Sequence, residues 1–274
     1  MFTLNCKGRL LIIREPVVMG ILNTTPDSFY AGSRIESKEY LIEKAAKMLH
    51  DGATILDIGG QSTRPGAEII GIEAELKRVI PAIETVRNQF PECFISIDTF
   101  HAEVAKQAVE AGADIVNDVS AGDYDEAMIK TVATLRVPFI AMHMRGTPKT
   151  MSAQTAYQNL ITDLLDYFRE KMNTCRDSGI IDMVLDPGFG FAKNTEQNFE
   201  LLRNLNALQI LGCPLLVGIS RKSMIYKTLG ISPDEALNGT TVLHTIALQK
   251  GASILRVHDV KEAVECIRLS YLLK

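Results

Sequence analysis

Short apolar runs alternate along the chain with longer stretches in which apolar residues recur every three or four positions. The runs Val17-Val-Met-Gly-Ile-Leu-Asn23, Phe94-Ile-Ser-Ile-Asp98, Phe139-Ile-Ala-Met-His143, Met183-Val-Leu-Asp186 and Leu215-Leu-Val-Gly-Ile-Ser220 each close on a polar residue. Their length and β-branched content predict buried strands. Between them, Leu41, Ala45, Met48 and Leu49, or Val104, Ala105, Ala108 and Val109, fall on one face of a helix, with Ser37 expected to cap the first of these.

Three further strands announce themselves through a repeated phrase: Gly52-Ala-Thr-Ile-Leu-Asp57, Gly112-Ala-Asp-Ile-Val-Asn117 and Gly251-Ala-Ser-Ile-Leu-Arg256. Each glycine is placed to end a helix in the left-handed conformation, and the apolar pair after it opens a strand. Strands alternating with helices imply a parallel sheet, and eight such units favour a closed (β/α)8 TIM barrel over an open doubly wound sheet. The first 16 residues are expected to form a short hairpin plugging the lower end of the barrel. With 274 residues, 46% of them hydrophobic, and no linker-like tract, residues 1–274 read as one α/β domain.

In such a barrel the C-terminal strand tips converge on one mouth. The predicted tips supply Asn23, Asp57, Asp98, Asn117, His143, Asp186, Lys222, Arg256 and His258, a polar set that the fold alone does not require.

A formal net charge of -4 gives no general attraction to nucleic acid or an acidic membrane, so any phosphate must be held by a local cluster. The five cysteines (Cys6, Cys93, Cys175, Cys213 and Cys266) are scattered, form no Cys-x-x-Cys pair and read as reduced packing residues. Charged residues interrupt the N-terminal segment, which excludes the pattern of a signal peptide, and no run is long enough to span a membrane. A cytoplasmic location is the expectation.

Four phrases carry the candidate chemistry. Asn23-Thr-Thr-Pro-Asp-Ser-Phe29 is turn chemistry, or a mobile loop in which Asn23 offers an amide oxygen to Mg²⁺. Asp57-Ile-Gly-Gly-Gln-Ser-Thr-Arg-Pro-Gly66 brings the Thr63 hydroxyl and the Arg64 guanidinium, suited to a carboxylate or phosphate, beside a stiff turn. Asp186-Pro-Gly-Phe-Gly-Phe191 sets a carboxylate beside two aromatic rings. Both carboxylate oxygens would match the two adjacent donors on the edge of a pterin, and Phe191 is either core or the border of a flat ligand. Gly218-Ile-Ser-Arg-Lys-Ser223 lacks the spacing of a nucleotide phosphate loop. Its Lys222 leaves a strand tip for a helix start, where a cation is unfavourable without a task. Arg256-Val-His258 ends the last strand, and residues two apart share a face, so both side chains can grip one anion.

Together and in this order, from about Val17 to Val260, these phrases resemble the signatures of the dihydropteroate synthase family of pterin-binding barrels. The resemblance implies a transferase of folate biosynthesis, a family targeted by sulfonamides, that condenses (7,8-dihydropterin-6-yl)methyl diphosphate with p-aminobenzoate. It implies pterin contacts at Asp98, Asn117, Asp186 and Lys222, and diphosphate contacts at Asn23, Thr63, Arg256 and His258. Mg²⁺ would be held partly through Asn23, and aminobenzoate would meet Arg64, Pro65, Phe191 and Ser223. Catalysis would rest on Asp98, Lys222, Arg256 and His258, in a homodimer. Gln61 departs from the family pattern, which often has Glu there. Two rival readings are a pterin-binding methyltransferase domain on the same barrel, and a non-catalytic pterin-binding relative.

Overall fold

The computed structural model describes residues 1–24, 34–62, 67–147 and 149–273, with residues 34–37 and 152 as backbone only. The chain opens with strands β1 (Phe2–Cys6) and β2 (Arg9–Ile13), paired antiparallel as the expected hairpin. There follow β3 (Val17–Asn23), α1 (Arg34–His50), β4 (Ile55–Gly59), α2 (Ile72–Gln89), β5 (Phe94–Asp98), α3 (Ala102–Ala111) and β6 (Ile115–Asp118). Next come α4 (Met128–Leu135), β7 (Phe139–Met142), α5 (Leu160–Asp177), β8 (Met183–Asp186) and α6 (Thr195–Arg203). The chain then forms β9 (Leu216–Val217), α7 (Ser223–Leu229), α8 (Leu237–Gln249), β10 (Ile254–Val257) and α9 (Val260–Tyr271).

Among the described residues, eight parallel strands lie in the order β8-β7-β6-β5-β4-β3-β10-β9, and a parallel bridge from Leu185 to Leu215 joins the two ends into a TIM barrel. Glycines 52, 112 and 251 have φ of 105°, 124° and 95°, so all three copies of the repeated phrase end a helix through the left-handed region. Two local expectations change. The helix α1 begins at Arg34, which puts Ser37 inside it instead of at its cap. The seventh barrel strand is only Leu216–Val217, because beyond it side-chain bonds replace the ladder: Ser220 meets His258, and Arg221, at φ 53°, pairs with Asp259.

The two-residue period of a strand sorts the barrel interior into layers. Met19, Ile55, Ile115, Ile140, Val184, Leu216 and Ile254 make a lower apolar layer, sealed beneath by Leu4, Cys6, Leu11 and Ile13 of the hairpin. Two residues further along several of these strands, on the same inward face, stand Asp57, Asn117, Asp186, Gly218 and Arg256. The intervening residues, among them Leu56, Val116, Leu185, Val217 and Leu255, point outward and pack under the helices. The hydrophobic core is thus outside and below, and the upper interior is left to polar groups.

Asp114 fastens the hairpin to this frame. Its buried carboxylate accepts from Arg9 Nη2 of β2 at 2.9 Å, from Arg87 of α2 and from the Ile95 amide of β5 at 2.8 Å. Asp114→Ala strands these donors and should lower stability by roughly 2–3 kcal/mol. Urea denaturation measures this, and a change under about 0.5 kcal/mol, the scale of ordinary surface substitutions, would contradict it.

Candidate active site

Three of the inward polar residues come from the repeated phrase, and they meet. Asp57, with 0% exposure, accepts through Oδ2 from Arg256 Nε at 2.6 Å and from Asn117 Nδ2 at 3.1 Å. Arg256 also reaches Asp98 with its second nitrogen arm, so one guanidinium joins two carboxylates. Burial opposes the charge on Arg256, but Asp57 and Asp98 prevail and hold the guanidinium above its ordinary range. Burial pushes Asp98 up to about 7, with Arg256 offsetting part of the rise and Asp57 adding to it. Asp118, beside Asn117, is committed to the local turn: its oxygens accept from the Ser120 amide and hydroxyl and from the Gly122 amide, each at 2.7 Å.

On the facing wall, Asp186 ends β8 and accepts the Gly188 amide at 2.8 Å. Burial raises its carboxyl, and Lys222 pulls it back. Lys222 stands at the cap position of α7 and donates to the carbonyl of Phe189, with its ammonium 4.3 Å from the centre of the Phe191 ring. Burial lowers that ammonium to about 8, against Asp186 and with Arg256. A side chain at Gly218 would meet Arg256 Cβ at 3.9 Å and Asp186 Oδ2 at 4.0 Å. Its absence leaves the floor open between the Asp186 carboxylate on one side and the stem of Arg256 on the other. Phe191 packs with Phe100, Val119, Met142 and Met151 as an apolar border over this floor.

The remaining expected residues separate. Asn23 ends β3 at the mouth, level with Gly59 of β4. Ser223 opens α7 and is half-buried. His258 lies one residue past β10, exposed, its Nδ1 3.1 Å from Ser220 Oγ, while Arg256 turns inward to the two aspartates. Thr63, Arg64 and Pro65 lie outside the described residues. Gln61, where the family pattern often has Glu, donates to the carbonyls of Ser62 at 2.7 Å and Glu68 at 3.0 Å and accepts the Ile70 amide at 2.8 Å. An ionised carboxylate has no donors for those carbonyls, so the amide ties both ends of this segment together without charge.

Two buried residues stand out that the sequence patterns did not single out for the site. Lys193, 7% exposed, donates to the carbonyls of Gly188 and Phe191, both at 3.1 Å, and lies 3.0 Å from His143 Nδ1. Burial brings its ammonium down to about 7, and burial with the nearby Lys193 drives the His143 imidazole down to about 2, so His143 is neutral. Asp57, visible in the sequence only as one tip among several, is the residue on which two others converge. A buried lysine has no periodic signature; the signal that could have found it is its place two residues after the Asp-Pro-Gly-Phe-Gly-Phe phrase.

The chain is similar to known proteins over nearly its whole length. Residues 19–258 match the family described as pterin binding enzyme. The chain is 43% identical over 265 residues to dihydropteroate synthase from Escherichia coli strain K12, covering 96% of this chain and 93% of that one. It is 46% identical over 260 residues to dihydropteroate synthase from Synechocystis, covering 94% and 90%. Among solved structures, Xanthomonas albilineans dihydropteroate synthase with 4-aminobenzoic acid superposes with a TM-score of 0.92 at 39% identity, covering 99% of this chain and 97% of that one. The Yersinia pestis enzyme in a sulfonamide drug complex gives the same TM-score at 38% identity, with 99% of both chains covered. The chain belongs to the pterin binding enzymes and, within them, to the dihydropteroate synthase family.

Proposed function

We propose that this chain joins the exocyclic methylene of (7,8-dihydropterin-6-yl)methyl diphosphate to the amine of p-aminobenzoate, yielding 7,8-dihydropteroate and diphosphate, as an alkyl transferase of folate biosynthesis. The observation that carries the reading is the floor around Gly218. The Asp186 carboxylate borders this floor at one wall and the stem of Arg256 at the other, with its guanidinium held beyond by two aspartates, and Lys222 lies nearby. A flat heterocycle with adjacent N–H donors and a carbonyl suits the first wall, and an anionic leaving group suits the second.

In this reading Asp186 accepts from the amino and ring N–H edge of the pterin, Asn117 and Asp98 complete its hydrogen bonds, and Lys222 donates to a carbonyl or ring nitrogen. Arg256, His258, Asn23 and Thr63 surround the diphosphate. As the C–O bond breaks, its electron pair leaves with the diphosphate, and Arg256 stabilises charge where it accumulates. The methylene becomes electron-poor, and the Asp98 carboxylate opposes its positive charge. The amine of aminobenzoate then forms the C–N bond and releases a proton to solvent. Arg64, Pro65, Phe191 and Ser223 receive aminobenzoate; Thr63, Arg64 and Pro65 enter on their motif alone.

The resemblance also implies Mg²⁺. Among the described residues no group of three His, Cys, Asp or Glu gathers for a metal, whereas Asn23 offers one side-chain oxygen at the mouth. That supply fits an ion carried mainly by substrate phosphates, the usual habit of Mg²⁺, with Asn23 its protein ligand. When bound, it would neutralise charge on the leaving group. Further elements of the reading are a cytosolic location, consistent with five free cysteines, and a homodimer. Val242 of α8 and Leu269 of α9, exposed on two helices that pack together, are apolar residues such a dimer would cover.

The deciding experiment measures dihydropteroate formation with each substrate omitted in turn. Diphosphate release that requires aminobenzoate supports the reading, while methyl transfer from a methylfolate, or binding without turnover, overturns it. Asp186→Asn replaces one acceptor oxygen with a donor, and affinity for the pterin diphosphate should fall roughly ten- to hundredfold, the worth of a hydrogen bond to a charged group. Unchanged affinity by calorimetry would remove Asp186 from the pterin edge. Because Lys222 is protonated below about 8, kcat/KM for the pterin substrate should decline above that pH, by about tenfold per unit. A profile level to about pH 10, the ordinary lysine range, would free Lys222 of that role.

A further inference from the structure

The turn that follows β8 carries two groups of the proposed site, Asp186 at its start and Phe191 at its end. The two ends are held by different means. Asp186 is fixed by the sheet, its carbonyl accepting the His143 amide at 2.9 Å, and by the Gly188 amide on its side chain. Gly188, at φ +72°, presses so closely on β7 that any Cβ would collide with the His143 carbonyl oxygen. From there the backbone curls so that several carbonyls face inward, and these depend on lysines.

Lys193 serves two of these carbonyls, Gly188 and Phe191, and Lys222 serves Phe189 between them. The third contact of the Lys193 ammonium is His143 Nδ1, in a histidine 2% exposed. An ammonium has three hydrogens and no acceptor, and here three acceptors meet it: two carbonyls and a neutral imidazole with its proton on Nε2. No carboxylate takes part in these contacts. Burying a cation among neutral acceptors is costly, and a methionine of similar length would fill the same space. What the ammonium supplies beyond bulk is the joining of residues 188 and 191 across one turn. Asn198 finishes that turn from the other side, accepting the Gly190 amide at 2.7 Å and donating to the Lys193 carbonyl at 3.1 Å.

We propose that Lys193 is a positioning residue of the aminobenzoate subsite: by binding the carbonyls of Gly188 and Phe191 it fixes the Phe191 ring where the substrate ring is received, without touching substrate itself. The proposal rests on the assignment of Phe191 to aminobenzoate. It predicts a division of labour within one turn, since Asp186 keeps the sheet and the Gly188 amide as its own supports and meets Lys193 only through its charge and through the shared Gly188 peptide.

The test compares Lys193→Met, Lys193→Gln, Phe191→Leu and the Phe191→Leu/Lys193→Met pair. In Lys193→Met the KM for p-aminobenzoate at saturating pterin diphosphate should rise about ten- to hundredfold, the cost of a misplaced contact. The kcat and the pterin affinity by calorimetry should stay within about threefold, as when only binding of one substrate is lost. Lys193→Gln, which retains two donors, should fall between. In the Phe191→Leu background, Lys193→Met should add less than about threefold, because both act through one ring. A parent-like KM in Lys193→Met, or a parallel loss of pterin affinity, overturns the proposal. Failure of both Lys193 variants to fold, judged by circular dichroism, also overturns it, since the residue would then serve the whole fold. A parent-like KM in Phe191→Leu overturns the assignment of Phe191 and the proposal with it, whereas a Phe191→Leu effect without a Lys193→Met effect overturns the proposal alone.

Discussion

The carboxylate of Asp57 is the interaction around which the mouth of the barrel is arranged. A wholly buried anion costs several kcal/mol unless it is paired and hydrogen-bonded; Asp57 draws Arg256 from β10 and Asn117 from β6 to its Oδ2, while its Oδ1 has no partner among the described residues. Arg256 extends the network to Asp98 of β5. Four strands are thereby joined through side chains above the level where the apolar layer holds them, and Asp98, Asn117 and Arg256 become parts of one hydrogen-bonded unit. The guanidinium is oriented before any ligand arrives, which is the condition for stabilising charge without reorganisation.

This arrangement is possible because the barrel divides its tasks along its axis. The hairpin residues Leu4, Leu11 and Ile13 close the lower end against Met19, Ile55 and Ile254, and the helices cover the outward faces of the strands. With those surfaces providing the burial, the upper interior positions are released from packing and can carry charge. Asp114 secures the hairpin from outside the barrel, as Asp57 secures the mouth from within, each by serving donors from several elements.

Burial acts on the two signs of charge in opposite directions. It raises the carboxyls of Asp98, Asp118 and Asp186 and lowers the ammonium groups of Lys193 and Lys222, bringing both kinds nearer to neutrality. Which groups stay charged is then set by near neighbours. Asp118 has three local donors and is absorbed by its turn, Asp186 has Lys222, and Lys193 is hydrogen-bonded to neutral acceptors with Asp186 as its nearby counter-charge. The turn from Asp186 to Lys193 is held by two lysines and an asparagine, which makes it a rigid support for the ring of Phe191.

The sequence by itself determined the alternation of strand and helix, the barrel, the hairpin plug and the identity of most rim residues. Each of these follows from a local rule: apolar period, glycine at a helix end, or a polar residue closing an apolar run. The repeated phrase even placed Asp57, Asn117 and Arg256 at equivalent positions of three strands. That they bond to one another was beyond local pattern, because pairings such as Arg256 with Asp57 join residues far apart in the chain that only closure of the sheet brings together. The two-residue spacing of Arg256 and His258 likewise carried no record of their partners: Arg256 turns to Asp57, and Ser220 bonds His258 one residue past the end of the last strand at Val257. Lys193 and the amide of Gln61 were decided by tertiary structure alone, since the value of a buried donor lies in which carbonyls surround it, and no spacing in one sequence records that.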